Sequence, residues 1–147
     1  MQRLKIYEIK KEYIKYLSRY QPHLFYDEGT RKYIGILLEI KGFKYFAPLS
    51  SYKQKHKKMN ERVDFIKIKD YAVININNMI PVPEGQYMLV DINGTKDPHY
   101  KFLLQTESRE INRKKIEFGK MLKLYTIINC EMEIKHLWQR EHTISHC

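Results

Sequence analysis

Two hydroxyl side chains and a lysine stand together at the end of an apolar run in this sequence. Residues 46–53 read Phe-Ala-Pro-Leu-Ser-Ser-Tyr-Lys, so Ser50, Ser51 and Lys53 follow directly on the apolar residues. Hydroxyls can hold a phosphoryl oxygen or relay a proton, and a lysine ammonium is a compact charge with three donors. This combination suits the stabilisation of a phosphorane during RNA cleavage. The alternative interpretation is a strand that runs into a solvated basic loop.

A histidine follows three residues after the lysine. The side chain of His56 titrates near neutrality when unperturbed, so it is a candidate general base or acid. The competing interpretation is a surface histidine that contacts phosphate, because it lies within a run of lysines. Metal-dependent hydrolysis is poorly supported, since the six histidines are scattered and no acidic pair has catalytic spacing. We therefore expect neither a metal nor another cofactor.

A β-hairpin is predicted to position these residues. Residues 33–40 are rich in β-formers, Lys41-Gly42 reads as a two-residue turn, and residues 43–49 return antiparallel. This pairing sets the end of the second strand beside the start of the first. Three RNA-binding candidates are thereby brought to the hydroxyls: Arg31, Lys32 and Tyr33. A solvated cation at a strand end is the alternative for the arginine.

The other periodic segments predict further antiparallel strands. Alternating apolar and polar residues over 4–9 indicate a half-buried strand, and 63–76 reads as two short strands. Residues 87–92 read as one more, whereas two prolines exclude a central strand over 80–85. About five or six short strands with turn signals are expected to curl into a small barrel.

Helices are predicted on both sides of these strands. The spacing of Tyr and Leu at positions 13, 16, 17 and 20 gives one face of a short helix. Asp97 followed by Pro98 has the features of an N-cap and a first helical residue, and apolar residues at helical spacing follow. The sequence thus predicts an α+β fold in a single domain over 1–147, with helices gathered at the C-terminal end.

Charge and composition favour a polyanionic partner. The 147 residues carry 27 Lys and Arg against 17 Asp and Glu, a net charge of +10. Such a field attracts nucleic acid first and anionic membrane second. Twelve Tyr and six Phe offer faces for unpaired bases, although positions at the core edge account for most of them equally well. A start without signal-peptide features and only two cysteines favour a cytoplasmic protein.

Residues 45–56 resemble the signature segment of the ToxN/AbiQ family, the endoribonuclease toxins of type III toxin–antitoxin and phage-exclusion systems. The family pattern is an apolar strand ending Ala-Pro-Leu, two hydroxyl residues, a spacer, a lysine and then an aromatic residue or histidine. Here it reads Ala47-Pro48-Leu49-Ser50-Ser51-Tyr52-Lys53, then His56. Tyr52 departs from the proline that is usual in the family. Three more stretches resemble the first strand and helix, the strand before the signature and the central strand: 6–17, 33–39 and 75–82.

The resemblance implies a compact SH3-like barrel related to the MazF/Kid ribonuclease toxins. Ser51 and Lys53 match the residues taken as catalytic in the family, and Ser50 matches one that assists. With no cluster of metal ligands beside them, these residues predict a metal-independent endoribonuclease that leaves 2′,3′-cyclic phosphate and 5′-OH ends on single-stranded RNA, and the resemblance implies that the cleavage is sequence-selective. The alternatives are a non-catalytic basic RNA-binding module and, more remotely, a basic regulator with a protein partner.

The resemblance also implies a structured RNA antitoxin. Family members are inhibited by short repeated RNAs, which they process and retain in closed assemblies. The expected partners are such an RNA and, as substrate, cellular or phage mRNA, with no protein antitoxin and no membrane. The expected role is phage defence by abortive infection or maintenance of the locus. Tyr33 is also a candidate for base stacking, and the remaining RNA-binding candidates are two further tyrosines and basic residues of two segments: Tyr7, Tyr52, Lys55, Lys57, Lys58, Lys114 and Lys115.

Overall fold

Strands and helices follow an α+β order in the computed structural model of the chain, which describes residues 3–20, 31–62, 64–124 and 127. The elements are β1 Lys5–Ile9, α1 Lys11–Ser18, β2 Lys32–Ile40, β3 Phe43–Ser51, α2 Gln54–Lys57, β4 Phe65–Ile68, β5 Ala72–Asn75, β6 Ile80–Val82, β7 Tyr87–Leu89 and α3 Pro98–Arg113. The chain separates into two compact units, 1–115 and 116–147, and these ten elements lie in the first. A single domain over 1–147 stays a prediction.

Strand β3 organises the sheet, whose strands all pair antiparallel in the order β4-β5-β3-β2-β1-β7. One edge of β3 pairs with β2, and the other pairs first with β6 and then with β5. In the described part of the chain, β4 and β7 do not pair with each other, so the sheet is open where a closed barrel was expected. Both outer strands are short, at four and three residues, and offer few backbone groups for closure.

The predicted hairpin of β2 and β3 is confirmed. Lys41 and Gly42 have φ angles of 51° and 81°, the two positive values that a tight I′-type turn requires. The register pairs Lys32 with Leu49 and Tyr33 with Pro48. The last residues of β3 therefore lie beside the first residues of β2, as the sequence predicts.

Residues 75–82, which resemble the central strand of the family, do not form one strand. Strand β5 ends at Asn75, a 3₁₀ turn covers Ile76–Asn78, and β6 follows as three residues with Pro81 at its centre. The side chain of Asn75 accepts a hydrogen bond from the backbone N–H of Asn77 at 3.1 Å, which caps the turn. The strand is kept short because a proline cannot donate to a sheet ladder.

An aromatic cluster fills the core near the start of β3. Phe46 is fully buried, and the rings of Tyr7 and Tyr87 contact it at centroid distances of 5.2 and 4.9 Å. A Cβ atom at Gly35 would lie 2.3 Å from the Phe46 ring, so only glycine fits at that point of β2. The cluster thus packs the first half of β3 against side chains of β1 and β7.

Helix α3 begins as predicted. The Asp97 carboxylate accepts hydrogen bonds from the backbone N–H groups of His99 and Tyr100 at 2.9 and 3.3 Å. Near the other end, the Asn112 amide exchanges two 2.9 Å hydrogen bonds with the backbone of Leu4. These contacts set the rotation of α3 relative to β1. A further helical segment covers 115–124, and the predicted helix beyond residue 128 lies outside the described residues.

No helix among the described residues combines the length and apolar character needed to cross a bilayer.

Candidate functional site

A cleft of about 520 Å³ lies where β2 begins and β3 ends. Four basic side chains line it: Arg31, Lys32, Lys53 and Lys55. Both serines of the signature segment face the same space, and α3 supplies part of the opposite wall. The volume is in the range of sites for small ligands, so one or two nucleotides of a longer RNA could enter. The structure therefore brings together all three signature residues and the cations predicted beside them.

The sheet holds the two serines in place up to the last residue of β3. Ser50 pairs with Val73 and Ser51 with Ala72 of β5. Lys53 follows in extended conformation and forms the N-cap of α2. Within the described residues, no carboxylate forms an ion pair with the Lys53 ammonium. A charge held at a strand end without a partner can be neutralised by a phosphate of bound RNA.

The imidazole of His56 is buried, with 7% of its surface exposed, which contradicts its interpretation as a surface histidine. Its backbone N–H donates to the Lys53 carbonyl at 2.9 Å, and its Nδ1 accepts from the Lys53 backbone N–H at 2.8 Å. Burial and then the nearby charges of Lys55, Lys53 and Lys67 lower the pKa of His56. The ring is therefore neutral, with its proton on Nε2, and it shapes the turn that carries Lys53.

Lys32 keeps its charge inside the cleft. Its ammonium donates to the carboxylate of Glu8, and the Tyr100 ring centroid lies 5.9 Å away. Burial alone would lower the pKa of Lys32, but its bonds to Glu8 and Tyr100 raise the pKa above the ordinary value. The residue thus contributes a fixed positive charge, as the hairpin register predicts.

Two of the tyrosines predicted to stack on bases pack in or against the core instead. Tyr33 is buried, with 5% of its surface exposed, and packs with the apolar residues of β1, α1 and β6. This burial contradicts its assignment to RNA binding. Tyr7 is half-buried in the aromatic cluster and does not line the cleft. Tyr52 is half-buried with its ring 5.7 Å from that of His56.

The predicted basic residues outside the cleft have different surroundings. Lys114 is bound by two acceptors, the carboxylate of Glu61 and the carbonyl of Lys67, each at 2.8 Å, and its role as an RNA contact stays a prediction. Three others do not line the cleft and stay predictions as RNA contacts: Lys57, Lys58 and Lys115.

The sequence interpretation missed two cleft residues of α3 that carry polar groups, Tyr100 and Glu107. They share one face of the helix with Leu104 and Ile111, at a spacing of 4, 3 and 4 residues. The carboxyl of Glu107 is buried, with 7% of the residue exposed, and burial raises its pKa to about 7. A carboxylate on the apolar stripe of an amphipathic helix was the available signal.

Metal-ligating side chains do not cluster in the described part of the chain. Over the described ranges, no group of three or more His, Cys, Asp or Glu side chains is placed to share a metal ion. Four of the six histidines lie outside those ranges: His23, His136, His142 and His146.

The sequence matches a known toxin family and its curated members. The family described as Toxin ToxN, type III toxin–antitoxin system, matches residues 5–136. The chain is 32% identical over 114 residues to the endoribonuclease ToxN of Pectobacterium atrosepticum, covering 69% of this chain and 67% of that protein. It is 32% identical over 111 residues to the endoribonuclease AbiQ of Lactococcus lactis subsp. lactis, covering 65% of this chain and 60% of AbiQ.

Solved structures agree with this relationship. A protein of a bacterial antiviral system that a processed non-coding RNA regulates superposes with a TM-score of 0.74 at 27% identity, covering 89% of this chain and 88% of the other. A protein of a type III system, in which a non-coding RNA pseudoknot selectively inhibits the toxin, gives 0.68 at 27% identity over 83% and 77%. The structure of AbiQ gives 0.69 at 21% identity over 84% and 80%, which shows a shared fold.

Proposed function

The chain belongs to the ToxN family of type III toxin–antitoxin toxins and is an endoribonuclease, and on this premise we propose that single-stranded RNA is cut, sequence-selectively, in the cleft at the end of β3. One observation carries the proposal. Two serines and a lysine that forms no ion pair within the described residues meet further cations in a single cleft of nucleotide size. A non-catalytic RNA-binding module would need the cations but not the adjacent hydroxyls.

The proposed reaction is a transesterification without a metal ion. The 2′ oxygen attacks the adjacent phosphorus, which gives a 2′,3′-cyclic phosphate and a 5′-OH. Lys53 stabilises the charge of the phosphorane, and the hydroxyls of Ser50 and Ser51 hold a non-bridging oxygen. Arg31 and Lys55, which line the same cleft, hold flanking phosphates of the RNA strand.

His56 acts in this proposal through Lys53 rather than on the substrate. Its Nδ1 lone pair is taken by the backbone N–H of Lys53, and its remaining nitrogen carries the proton of the neutral ring. A base must offer a lone pair to the proton that it removes. The histidine is therefore assigned as a positioning residue that fixes the lysine at the N-cap of α2.

We further propose that a structured RNA of short repeats is the antitoxin and that it is retained in a closed assembly with the toxin. A net charge of +10 favours a partner that supplies many phosphates at once. The structural relatives support this, since one comes from an antiviral system that a processed non-coding RNA regulates and another from a type III system whose toxin a non-coding RNA pseudoknot inhibits. The protein would act on mRNA in the cytoplasm, in phage defence or maintenance of its locus.

A relation of the sheet to the SH3-like barrel of the MazF/Kid toxins is proposed as well. Its support is the position of β3, which pairs on both edges with three other strands and so forms the centre of a small, highly connected sheet. Strand pairing between β4 and β7 in a solved structure of the complex with RNA would establish closure.

The mechanism is tested by incubating RNA with the purified protein in excess EDTA and analysing the new ends. We expect undiminished cleavage with 2′,3′-cyclic phosphate and 5′-OH termini. The Lys53→Ala protein, prepared in parallel, controls for contaminating ribonucleases. Loss of cleavage in EDTA that Mg²⁺ or Mn²⁺ restores would refute metal independence, and RNA binding without any cleavage would favour the non-catalytic alternative.

A further inference from the structure

Cleavage at the proposed site needs a group that removes the proton of the 2′-hydroxyl. The cations of the cleft and its serines do not supply one at neutral pH, because ammonium and guanidinium groups lack a lone pair and a serine hydroxyl is a very weak base. His56 does not supply one either, since its Nδ1 accepts the Lys53 backbone N–H and its Nε2 carries the proton. The phenol of Tyr100 is likewise a very weak base, so among the described residues that line the cleft the carboxylate of Glu107 is the remaining basic group.

Glu107 is placed by the contacts that orient α3. The paired hydrogen bonds between Asn112 and Leu4 fix the rotation of the helix, and Leu104 and Ile111, on the same face, are each 1% exposed. Glu107 lies between these two residues on the buried face and lines the same cleft as the serines. Its position therefore follows from the same packing that closes the wall of the cleft.

Within the described residues, no structural contact engages the carboxyl of Glu107. Among the described residues it forms no hydrogen bond and no ion pair, whereas Glu110, one turn further along α3, contacts Lys69 at 3.5 Å and Arg113 at 3.1 Å. No fully buried side-chain oxygen among the described residues lacks a hydrogen-bond partner, so the unpartnered carboxyl of Glu107 is open to the cleft, where a substrate proton can reach it.

The charged and titratable side chains that share the cleft come from three elements. They are Arg31 and Lys32 of the β2 end, Lys53, Lys55 and His56 of the turn and helix α2, and Tyr100 of α3 itself. Strands β4 and β5 contribute only Phe65, Val73 and Asn75. Lys32 is already bound to Glu8, and burial, rather than any of these charges, sets the protonation of Glu107 near neutrality.

We propose that Glu107 is the general base of the cleavage reaction, an inference that rests on the proposed function of this cleft. The carboxylate takes the 2′-hydroxyl proton while the 2′ oxygen forms its bond to phosphorus. The bond from phosphorus to the 5′ oxygen breaks, and that oxygen takes a proton from the Lys53 ammonium. Proton exchange with water then restores both side chains.

The direction of the pH dependence follows from the ionisation of Glu107. Only its carboxylate form can accept the proton, and the pKa of about 7 means that this form becomes dominant above neutrality. The cleavage rate should therefore rise with pH, with a slope of one in the logarithm, until it levels off near that pKa.

The test is the single-turnover cleavage rate of a defined RNA from about pH 5 to 9 for the wild type, Glu107→Gln and Glu107→Asp. Glu107→Gln should lose about 10²- to 10⁴-fold in rate and should lack the rising limb, while its RNA affinity stays close to that of the wild type. Glu107→Asp keeps an ionisable group and should retain the limb at a reduced rate. Glu110→Gln, on the same helix but outside the cleft, is the matched control and should cleave like the wild type.

The outcomes separate this inference from the proposed function. A wild type that does not cleave RNA in EDTA would refute the proposed mechanism itself. If the wild type cleaves to a cyclic phosphate while Glu107→Gln shows the same rate and pH profile, only the assignment of the base fails. A loss of rate in Glu107→Gln with the rising limb unchanged would also overturn it, because the titrating group would then be another residue.

Discussion

A lysine and a glutamate lie near each end of strand β3, but within the described residues only the two at its start form an ion pair. At its start, the Lys44 ammonium donates to the Glu84 carboxylate and, at 3.2 Å, to the hydroxyl of Tyr87, which in turn donates to Glu84 at 2.8 Å. At its end, Lys53 and Glu107 line one cleft, and neither forms an ion pair within the described residues.

This difference is reflected in the protonation of the two glutamates. The hydrogen bonds of Glu84 to Lys44 and Tyr87 lower its pKa, whereas burial raises the pKa of Glu107 to about 7. A carboxylate with partners keeps its charge and holds two strands together. One that is buried without partners can take and release a proton at neutral pH, which is the property that catalysis uses.

The largest difference in cleavage rate is expected between the alanine variants of the two lysines. Lys53→Ala removes a donor that acts on the phosphorane, so the cleavage rate should fall by about 10²- to 10³-fold. Lys44→Ala should leave the rate unchanged, because its ammonium is bound to Glu84 and Tyr87 and does not line the cleft. Single-turnover kinetics with both variants, alongside RNA binding, measures this. Near-normal cleavage by Lys53→Ala with a collapse of binding would show that the lysine only anchors the strand.

The two glutamates should also differ in how they link pH to stability. The pKa of Glu107 is raised from 4.5 to about 7 on folding, so its favourable contribution is present below pH 4.5 and is lost as pH rises through 7. The loss amounts to about 3 kcal/mol at most. Glu107→Gln should therefore be more stable than the wild type at alkaline pH, and the advantage should vanish in acid.

Glu84→Gln is the control for that experiment and should behave in the opposite sense. The pKa of Glu84 is lowered, so its contribution is present above the unfolded value and is lost as pH falls. Urea unfolding at several pH values measures both variants. A Glu107→Gln protein whose unfolding free energy follows that of the wild type at every pH would show that burial does not perturb this carboxyl.

The smallest effect is expected from the peripheral lysines of α2. Lys55 lines the cleft, so Lys55→Ala should lower the slope of log binding constant against log salt by about 0.7, the value for one contact to a single strand. Lys57 is exposed outside the cleft and stays a predicted RNA contact, so the slope for Lys57→Ala, measured in parallel, shows whether the RNA path extends beyond the cleft. Binding titrations with a non-cleavable RNA at several salt concentrations measure the slopes. An unchanged slope for Lys55→Ala would place the RNA path elsewhere.

Local chemistry was sufficient to predict the parts of the molecule that depend on neighbouring residues. The Lys41-Gly42 turn and the cap at Asp97 are fixed by backbone conformation and by hydrogen bonds a few residues apart. Hairpin pairing extends the prediction to the cleft, because the register set at the turn places Lys32 opposite Leu49. The signature segment and the neighbouring cations of the candidate site were therefore found from the sequence.

The tertiary structure alone decided which side chains are buried and which are bound. Tyr33 and His56 read as polar surface residues, but packing with distant segments buries both. Lys114 is taken up by Glu61 and the carbonyl of Lys67, contacts that bridge about fifty residues of sequence. Glu107 reaches the cleft only because α3 docks along its buried face. Burial and pairing of this kind depend on contacts between residues far apart in the chain, which local periodicity does not encode.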